Sequence, residues 1–266
     1  MPLTQKVQVS KYLLLLVLLL LFLSGCSAHK ARTHAPEAEM QTETGVEAPF
    51  DEDFALEDEF DENESTQVFD PLSGYNRFMT GVNDKIYFYI LKPTAQGYRY
   101  VVPEGGRLAV NHFFRNLLMP VRFTNNLLQL KPKEAGVELT RFVVNTTLGF
   151  FGFFDPAGES FHLQAYPEDF GQTLGHYGVG SGFHVVLPLL GPSNLRDTVG
   201  LVPDHFLNPI NYLEDSETRI ALRAYDQVNR TSLHIGEYES LKKDAVDFYI
   251  FLRDGYEQRR NKLIEE

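Results

Sequence analysis

Hydrophobic positions along this chain form one short solid run and a series of spaced ones. The solid run is Tyr12 to Leu23, twelve residues preceded by Lys6 and Lys11. A helix needs about 20 residues to span a hydrocarbon core, so this run fits the apolar region of a signal peptide instead. No later apolar run reaches spanning length, and no second single-helix span is expected. Between residues 27 and 69 the apolar side chains are scattered singly, as Val46, Phe50, Phe54, Leu56 and Phe60. From residue 70 the spacing turns regular. Leu72, Tyr75, Met79, Val82, Ile86, Tyr89 and Ile90 recur every three or four residues, one face of an α-helix. Asp70 is placed to cap it, Pro71 suits its first turn, and Lys92-Pro93 is expected to end it.

Further helical patterns follow. Val110, Phe113, Phe114, Leu117 and Leu118 stop before Pro120; Phe123, Leu127 and Leu130 stop at Pro132. Ala135, Leu139, Phe142, Val143 and Thr146 stop at Gly149. Ile220, Ala224 and Val228 predict another helix, and Leu241, Ala245, Phe248, Leu252 and Tyr256 a last one. Alternation of period two is scarce, so the fold class is mainly α. The chain divides into a signal peptide (1–25), a linker (26–69) and one helical domain (70–262), a size that suits a single domain.

Composition sharpens this outline. The linker holds thirteen Asp or Glu between Glu37 and Glu64, and no Lys or Arg between Arg32 and Arg77. Such a stretch buries too little apolar surface to offset its ordering entropy and is expected to be disordered. As flexible coil the 43 residues from 27 to 69 would average roughly 35–40 Å end to end. It also carries most of the formal net charge of −12. The remainder has no basic stripe, which argues against a nucleic-acid partner. Leu23-Ser24-Gly25-Cys26 matches a lipobox, and Cys26 is the single cysteine. Its thiol is the expected lipid attachment site, where several acyl chains would give stable membrane anchoring. Ser27 follows it, which favours sorting to the outer membrane of a Gram-negative envelope. Phe is abundant, at 21 residues with no Trp. Phe150, Phe151, Phe153 and Phe154 crowd one short stretch, and Phe183 to Leu190 makes a second apolar one. Core filling and lipid contact both remain open for them.

Catalytic chemistry is not evident. Gly178-Val179-Gly180-Ser181-Gly182 misses the nucleophile-elbow spacing by one place. There is no phosphate loop and no His-Glu-x-x-His. His162, His176, His184 and His205 lack metal-ligand spacing. Glu168-Asp169 reads more readily as helix-start charge than as an acid/base pair. The glycines from Gly171 to Gly182 read as turns or close packing. No catalytic residue, metal or cofactor is expected.

Several motifs in order nevertheless carry a resemblance. Asp70-Pro71-Leu72-Ser73-Gly74-Tyr75-Asn76-Arg77 with Asn83-Asp84, then Lys92-Pro93-Thr94-Ala95, open it. Asn111-His112-Phe113-Phe114-Arg115-Asn116-Leu117 and Arg141-Phe142-Val143-Val144-Asn145-Thr146-Thr147-Leu148-Gly149 continue it. Glu168-Asp169-Phe170-Gly171-Gln172-Thr173-Leu174-Gly175, Leu187-Pro188-Leu189-Leu190-Gly191-Pro192-Ser193, and Tyr249, Arg253, Tyr256 and Arg259 complete it. This set resembles the MlaA (VacJ) family of phospholipid-transport lipoproteins over roughly residues 70–260.

The resemblance implies a ring-like bundle of amphipathic helices, embedded from the periplasmic side in the outer membrane around an amphipathic channel. It implies a lipoprotein that removes phospholipid mislocalised to the outer leaflet and passes it to a soluble periplasmic carrier, in association with a trimeric porin and without covalent chemistry. Within that picture Asn76, Arg77, Asn111, Arg141 and Asn145 are candidates for the polar channel lining. Phe150, Phe151, Phe153 and Phe154 are candidates for membrane contact. Val186, Leu187, Pro188, Leu189, Leu190, Gly191 and Pro192 suit a mobile hairpin acting as a gate. Two departures stand out: the long acidic linker, and Ser181-Gly182-Phe183-His184 where a Gly-Pro-Tyr-like turn is usual, which predicts a less rigid hairpin entrance. A scaffold lipoprotein that organises porins, or a lipid hydrolase, are the competing classes. The first would carry no phospholipid, and the second would need a nucleophile with a partnered base.

Overall fold

The computed structural model describes residues 68–266. The expected signal peptide, the lipidation site at Cys26 and the acidic linker up to residue 67 lie outside the described residues. The first helix, α1 (Ser73–Ile86), continues through a π-helical turn (Tyr87–Leu91) into α2 (Lys92–Val101). The expected stop at Lys92-Pro93 therefore does not occur. Proline lacks an N–H and its ring crowds the carbonyl of the preceding turn. The wider π turn, in which the Lys92 N–H reaches back to the Tyr87 carbonyl, sits immediately before Pro93 and takes up that misfit.

Next come α3 (Glu104–Leu117), α4 (Met119–Leu128) and α5 (Pro132–Thr147), bounded as the prolines predicted. The short α6 (Pro156–Glu159) and α7 (Phe170–His176) precede a two-stranded antiparallel hairpin, β1 (His184–Leu187) and β2 (Gly191–Asn194). Then follow α8 (Leu195–Leu207), a 3₁₀ turn (Pro209–Tyr212), α9 (Ser216–Leu233), α10 (Glu237–Asp244) and α11 (Phe248–Glu265). The single C-terminal helix expected from Leu241 to Tyr256 is thus two. Asp247 breaks it by capping α11, its carboxylate accepting from the Tyr249 and Ile250 N–H groups. Asp155, Asp169, Asn194 and Asp215 start α6, α7, α8 and α9 in the same way, each satisfying donors that a helix start leaves unpaired. Asp70 does not cap α1; Leu72 stands at that position without a side-chain cap.

The contacts close into a circuit. From α1 and the π turn the chain passes to α2, α2 packs on α9, α9 on α3, and α3 meets α4. In turn α4 packs on α7, α7 on α11, and α11 returns to α1. The α7–α8 crossing is close because two glycines meet there: a Cβ on Gly200 would lie 2.6 Å from the Gly171 nitrogen.

Burial runs opposite to that of a water-soluble domain. Among the described residues the buried apolar side chains are Ala95, Phe114, Val121, Ala135, Ala157, Val186, Ile210 and Tyr249. The buried polar or charged ones number twenty-two and include Asn76, Arg107, Asn125, Asn126, Glu138, His184 and Arg260. Large apolar side chains are exposed on α1 to α5, on α8 and α9, and in the loops between elements. On α8, Leu195, Val199, Val202 and Phe206 form an exposed stripe at spacings of four, three and four. Buried polar groups and large exposed apolar surface are the informative departures from ordinary soluble packing. No helix among the described residues is long and apolar enough to cross a membrane.

Candidate functional site

Polar side chains hold two apolar projections in place, the hairpin tip and the phenylalanine loop. The hairpin pairs His184 with Asn194, Val185 with Ser193, Val186 with Pro192 and Leu187 with Gly191. Its outer side is held by α1. The Asn76 amide donates to the His184 carbonyl (3.0 Å), and its oxygen accepts from the Val186 N–H (2.8 Å). Seven residues on, the Asn83 amide donates to the Leu187 carbonyl (2.9 Å) and its oxygen accepts from the Leu189 N–H (2.8 Å). The spacing is geometric. Seven helical residues rise about 10.5 Å, and three strand residues advance about 10 Å, so two asparagine amides stand where a third strand would offer peptide groups. The segment expected to be mobile is therefore tied at both ends of β1. Only its tip projects, with Leu189 68% and Leu190 70% exposed.

The hairpin entrance also has bonds where a turn proline is absent. The His184 N–H donates to the Phe69 carbonyl (3.0 Å), Leu195 N–H to Phe183 (3.0 Å) and Arg196 N–H to Ser181 (3.1 Å). These supply the bracing that the sequence departure was expected to remove.

Beneath the hairpin, α11 presents Tyr249, Arg253, Glu257 and Arg260 on one face. The Tyr249 hydroxyl donates to Asp70, which also accepts the Asn76 amide (2.8 Å) and lies 3.6 Å from Arg253. Glu257 contacts the buried His184 ring at Nδ1 (3.1 Å) and accepts from the Asn194 amide (3.2 Å). Arg260 makes two hydrogen bonds to Asp169 (2.7 and 2.8 Å) and pairs with Asp197 (2.9 Å). Burial acts to raise the Asp197 carboxyl, but Arg260, Arg196 and the Tyr256 hydroxyl outweigh it and hold it below the usual carboxylate range. Sequence reasoning missed Arg260. The signal was present in the series Tyr249, Arg253, Tyr256 and Arg260, whose successive spacings are four, three and four.

The second brace serves the phenylalanine loop. Asp155 accepts from Arg141 (2.8 Å), Asn145 (2.7 Å) and the Gly158 N–H (3.0 Å). The Asn145 oxygen accepts from the Ala157 N–H (3.0 Å), and Arg141 also donates to the Leu163 carbonyl. Gly152, at φ +87°, lies so close to Asn116 that a Cβ would fall 2.5 Å from its amide nitrogen. Phe150 and Phe151 sit at φ 50° and 61°, a left-handed conformation that costs an L-residue about 1–2 kcal/mol. The strain accompanies display: Phe150, Phe151 and Phe154 are exposed, at 62, 66 and 59%. Phe153 differs from the membrane-contact expectation, stacking on Phe113 with centroids 4.9 Å apart.

The expected channel-lining residues divide. Asn76, Asn111 and Asn145 are buried within the packing, which corrects the expectation that they face an open path. Polarity recommended them for a lumen, but Asn76 and Asn145 use it to fix backbone. Arg141 is likewise committed to Asp155 and Leu163. Arg77 is about half exposed, paired with Asp247 (2.7 Å) and lying over the Tyr249 ring (4.9 Å).

Glu168 is held by Gln129 (2.7 Å) and Lys131 (3.0 Å), while Asp169 caps α7 and meets Arg260. The two neighbours are committed to different partners. Among the described residues no group of three His, Cys, Asp or Glu is placed to hold a metal ion.

Comparison with known proteins places the fold in a family. The family model for MlaA lipoprotein matches residues 68–263. The intermembrane phospholipid transport system lipoprotein MlaA of Escherichia coli is 37% identical over 197 residues, 72% of this chain and 77% of that protein. An uncharacterized protein of Rickettsia bellii is 32% identical over 204 residues, 76% of this chain and 80% of its own length. A solved structure, from work on the structural basis for maintenance of bacterial outer membrane lipid asymmetry, superposes with a TM-score of 0.62 at 32% identity. That match covers 73% of this chain and 98% of the solved one. The chain belongs to the MlaA lipoprotein family.

Proposed function

We propose that this protein is an outer-membrane lipoprotein, anchored through Cys26 on the periplasmic side, that removes phospholipid mislocalised to the outer leaflet. It passes the lipid along an amphipathic path to a soluble periplasmic carrier, beside a trimeric porin, and performs no covalent chemistry. The observation that carries this reading is the reversed burial: polar, hydrogen-bonded packing within a circuit of helices that leaves many large apolar side chains exposed. In water such a surface is unfavourable, at roughly 25 cal/mol per Å² of exposed apolar area. In a lipid leaflet it is the matching surface. The name of the Escherichia coli relative supports phospholipid as cargo.

Specific parts take specific roles in this proposal. Phe150, Phe151 and Phe154, with the α8 stripe, contact acyl chains. The tip at Leu189 and Leu190 forms an apolar lip over the path, and a phosphate competes with Asp247 for the half-exposed Arg77. The test measures outer-leaflet phospholipid by accessibility to added phospholipase in cells lacking the gene. Deletion should raise exposure, and the wild type but not Cys26→Ala should reverse it. Unchanged exposure on deletion would remove the transport role.

A further inference from the structure

Four aromatic rings and four charges meet where α10 docks on the π turn. Tyr87 and Phe88 come from the turn, Tyr238 from α10 and Phe248 from the start of α11. Ring centroids lie 4.3 Å apart for Tyr87 and Tyr238, 6.1 Å for Phe88 and Tyr238, and 5.1 Å for Tyr238 and Phe248. Asp84 stands beside the rings and accepts from the Tyr238 hydroxyl (3.2 Å). An alkylammonium already occupies the place: Lys242 Nζ is 2.7 and 2.8 Å from the Asp84 oxygens. It also lies 4.9 Å from the Phe88 centroid and 5.9 Å from that of Phe248. A second ammonium, Lys92, lies 5.4 Å from the Phe88 centroid and 2.5 Å from Glu239. A carboxylate beside aromatic faces is the chemistry that recognises ammonium ions.

We infer that this cluster is a binding site for the headgroup of a zwitterionic, amine-bearing phospholipid, with Lys242 as a built-in competitor for the ammonium position. The inference rests on the lipid-transport reading and names a cargo subsite within it. Three features carry it. The Lys242 side chain is 38% exposed, so its ammonium can leave for water and another can enter. The exchange replaces one primary ammonium by another and leaves the charge at Asp84 unchanged. The cluster holds two carboxylates and two ammonium groups, so a zwitterion finds both signs: its ammonium at Asp84, its phosphate at the displaced Lys242 or at Lys92. A headgroup without a cation, such as glycerol, has nothing to offer Asp84. Competition from Lys242 keeps the hold weak, as a transfer site requires.

The test is titration of the full chain in detergent with glycerophosphoethanolamine, with glycerophosphoglycerol and free ethanolamine as comparisons. If Lys242 fills the position nine-tenths of the time, Lys242→Gln should tighten glycerophosphoethanolamine binding about tenfold. Asp84→Asn should abolish it, and Phe88→Leu, which keeps the apolar packing, should weaken it. In the unmodified protein, saturating glycerophosphoethanolamine should move the Lys242 Cε resonance toward that of a free lysine. No gain in Lys242→Gln, an unmoved resonance, or equal binding of any comparison compound would overturn the inference. A parallel arm offers vesicles of equal phosphatidylethanolamine and phosphatidylglycerol. Capture of both without preference overturns this subsite alone, whereas capture of neither overturns the transport reading itself.

Discussion

Replacing Asn83 with alanine isolates the hairpin tip from the rest of the domain. The side chain makes two hydrogen bonds, to the Leu187 carbonyl and from the Leu189 N–H. Both groups lie near solvent, so water replaces the lost partner and the loss stays near the ordinary net value, about 0.5–1.5 kcal/mol per bond. Together that is about 1–3 kcal/mol, or roughly a five- to 150-fold rise in the open population. Asn76→Ala is the contrast. Asn76 is fully buried and its loss strands the Val186 N–H, the His184 carbonyl and part of Asp70. Each stranded buried group costs about 1–3 kcal/mol, so the whole domain should weaken. The assay is native-state hydrogen exchange of the Leu189 amide beside a thermal melt. Asn83→Ala should speed Leu189 exchange roughly five- to 150-fold and lower Tm by several degrees, at about 2–4 °C per kcal/mol for a domain of this size. Asn83→Asp, which keeps the acceptor and loses the donor, should fall between. Unchanged Leu189 exchange in Asn83→Ala, or equal melts for the two alanine variants, would refute the pinning.

Other consequences are independent of the hairpin. Phe151→Gly removes an exposed ring from a left-handed backbone, so its melt should stay level or rise while vesicle binding drops about tenfold or more, from roughly 1.5–3 kcal/mol of lost burial in lipid. Phe153→Ala should instead lower Tm, because its ring stacks on Phe113. Burial acts to raise the Asp155 carboxyl, but the Gly158 N–H, Arg141 and Asn145 outweigh it and hold it below its ordinary value. Its contribution is therefore present above pH about 4 and is lost as pH falls through the lower folded-state value; melts from pH 6 down to 2 should show this slope, and Asp155→Asn should flatten it. Arg260→Met leaves Asp169 and Asp197 without their shared cation and should cost about 3–5 kcal/mol, measured by denaturant titration.

Much of the fold was legible because helix periodicity survives reversed burial. The pattern at Ala135, Leu139 and Val143 marks one face of α5 whether that face meets protein or lipid, and Ala135 is buried while Leu139 and Val143 are exposed. The same ambiguity hid the site. Asn76 and Arg77 are adjacent polar residues in one motif; one locks the hairpin and the other faces solvent, and the difference lies in where β1 arrives, more than a hundred residues later. Pro93 was misread because a stop and a π turn share the same local signal. The exposed stripe of α8 escaped because Pro203 interrupts the pattern that would have announced it.

The asparagine pair on α1 has one more consequence. A two-stranded hairpin ordinarily leaves a row of N–H and C=O groups on its outer strand, an invitation for another chain to add a strand and begin aggregation. Here the Asn76 and Asn83 amides bond the outward peptide groups at His184, Val186, Leu187 and Leu189. A domain that displays this much apolar surface is most vulnerable to self-association before it reaches a bilayer, and the outer edge of β1 is closed to that route by two side chains.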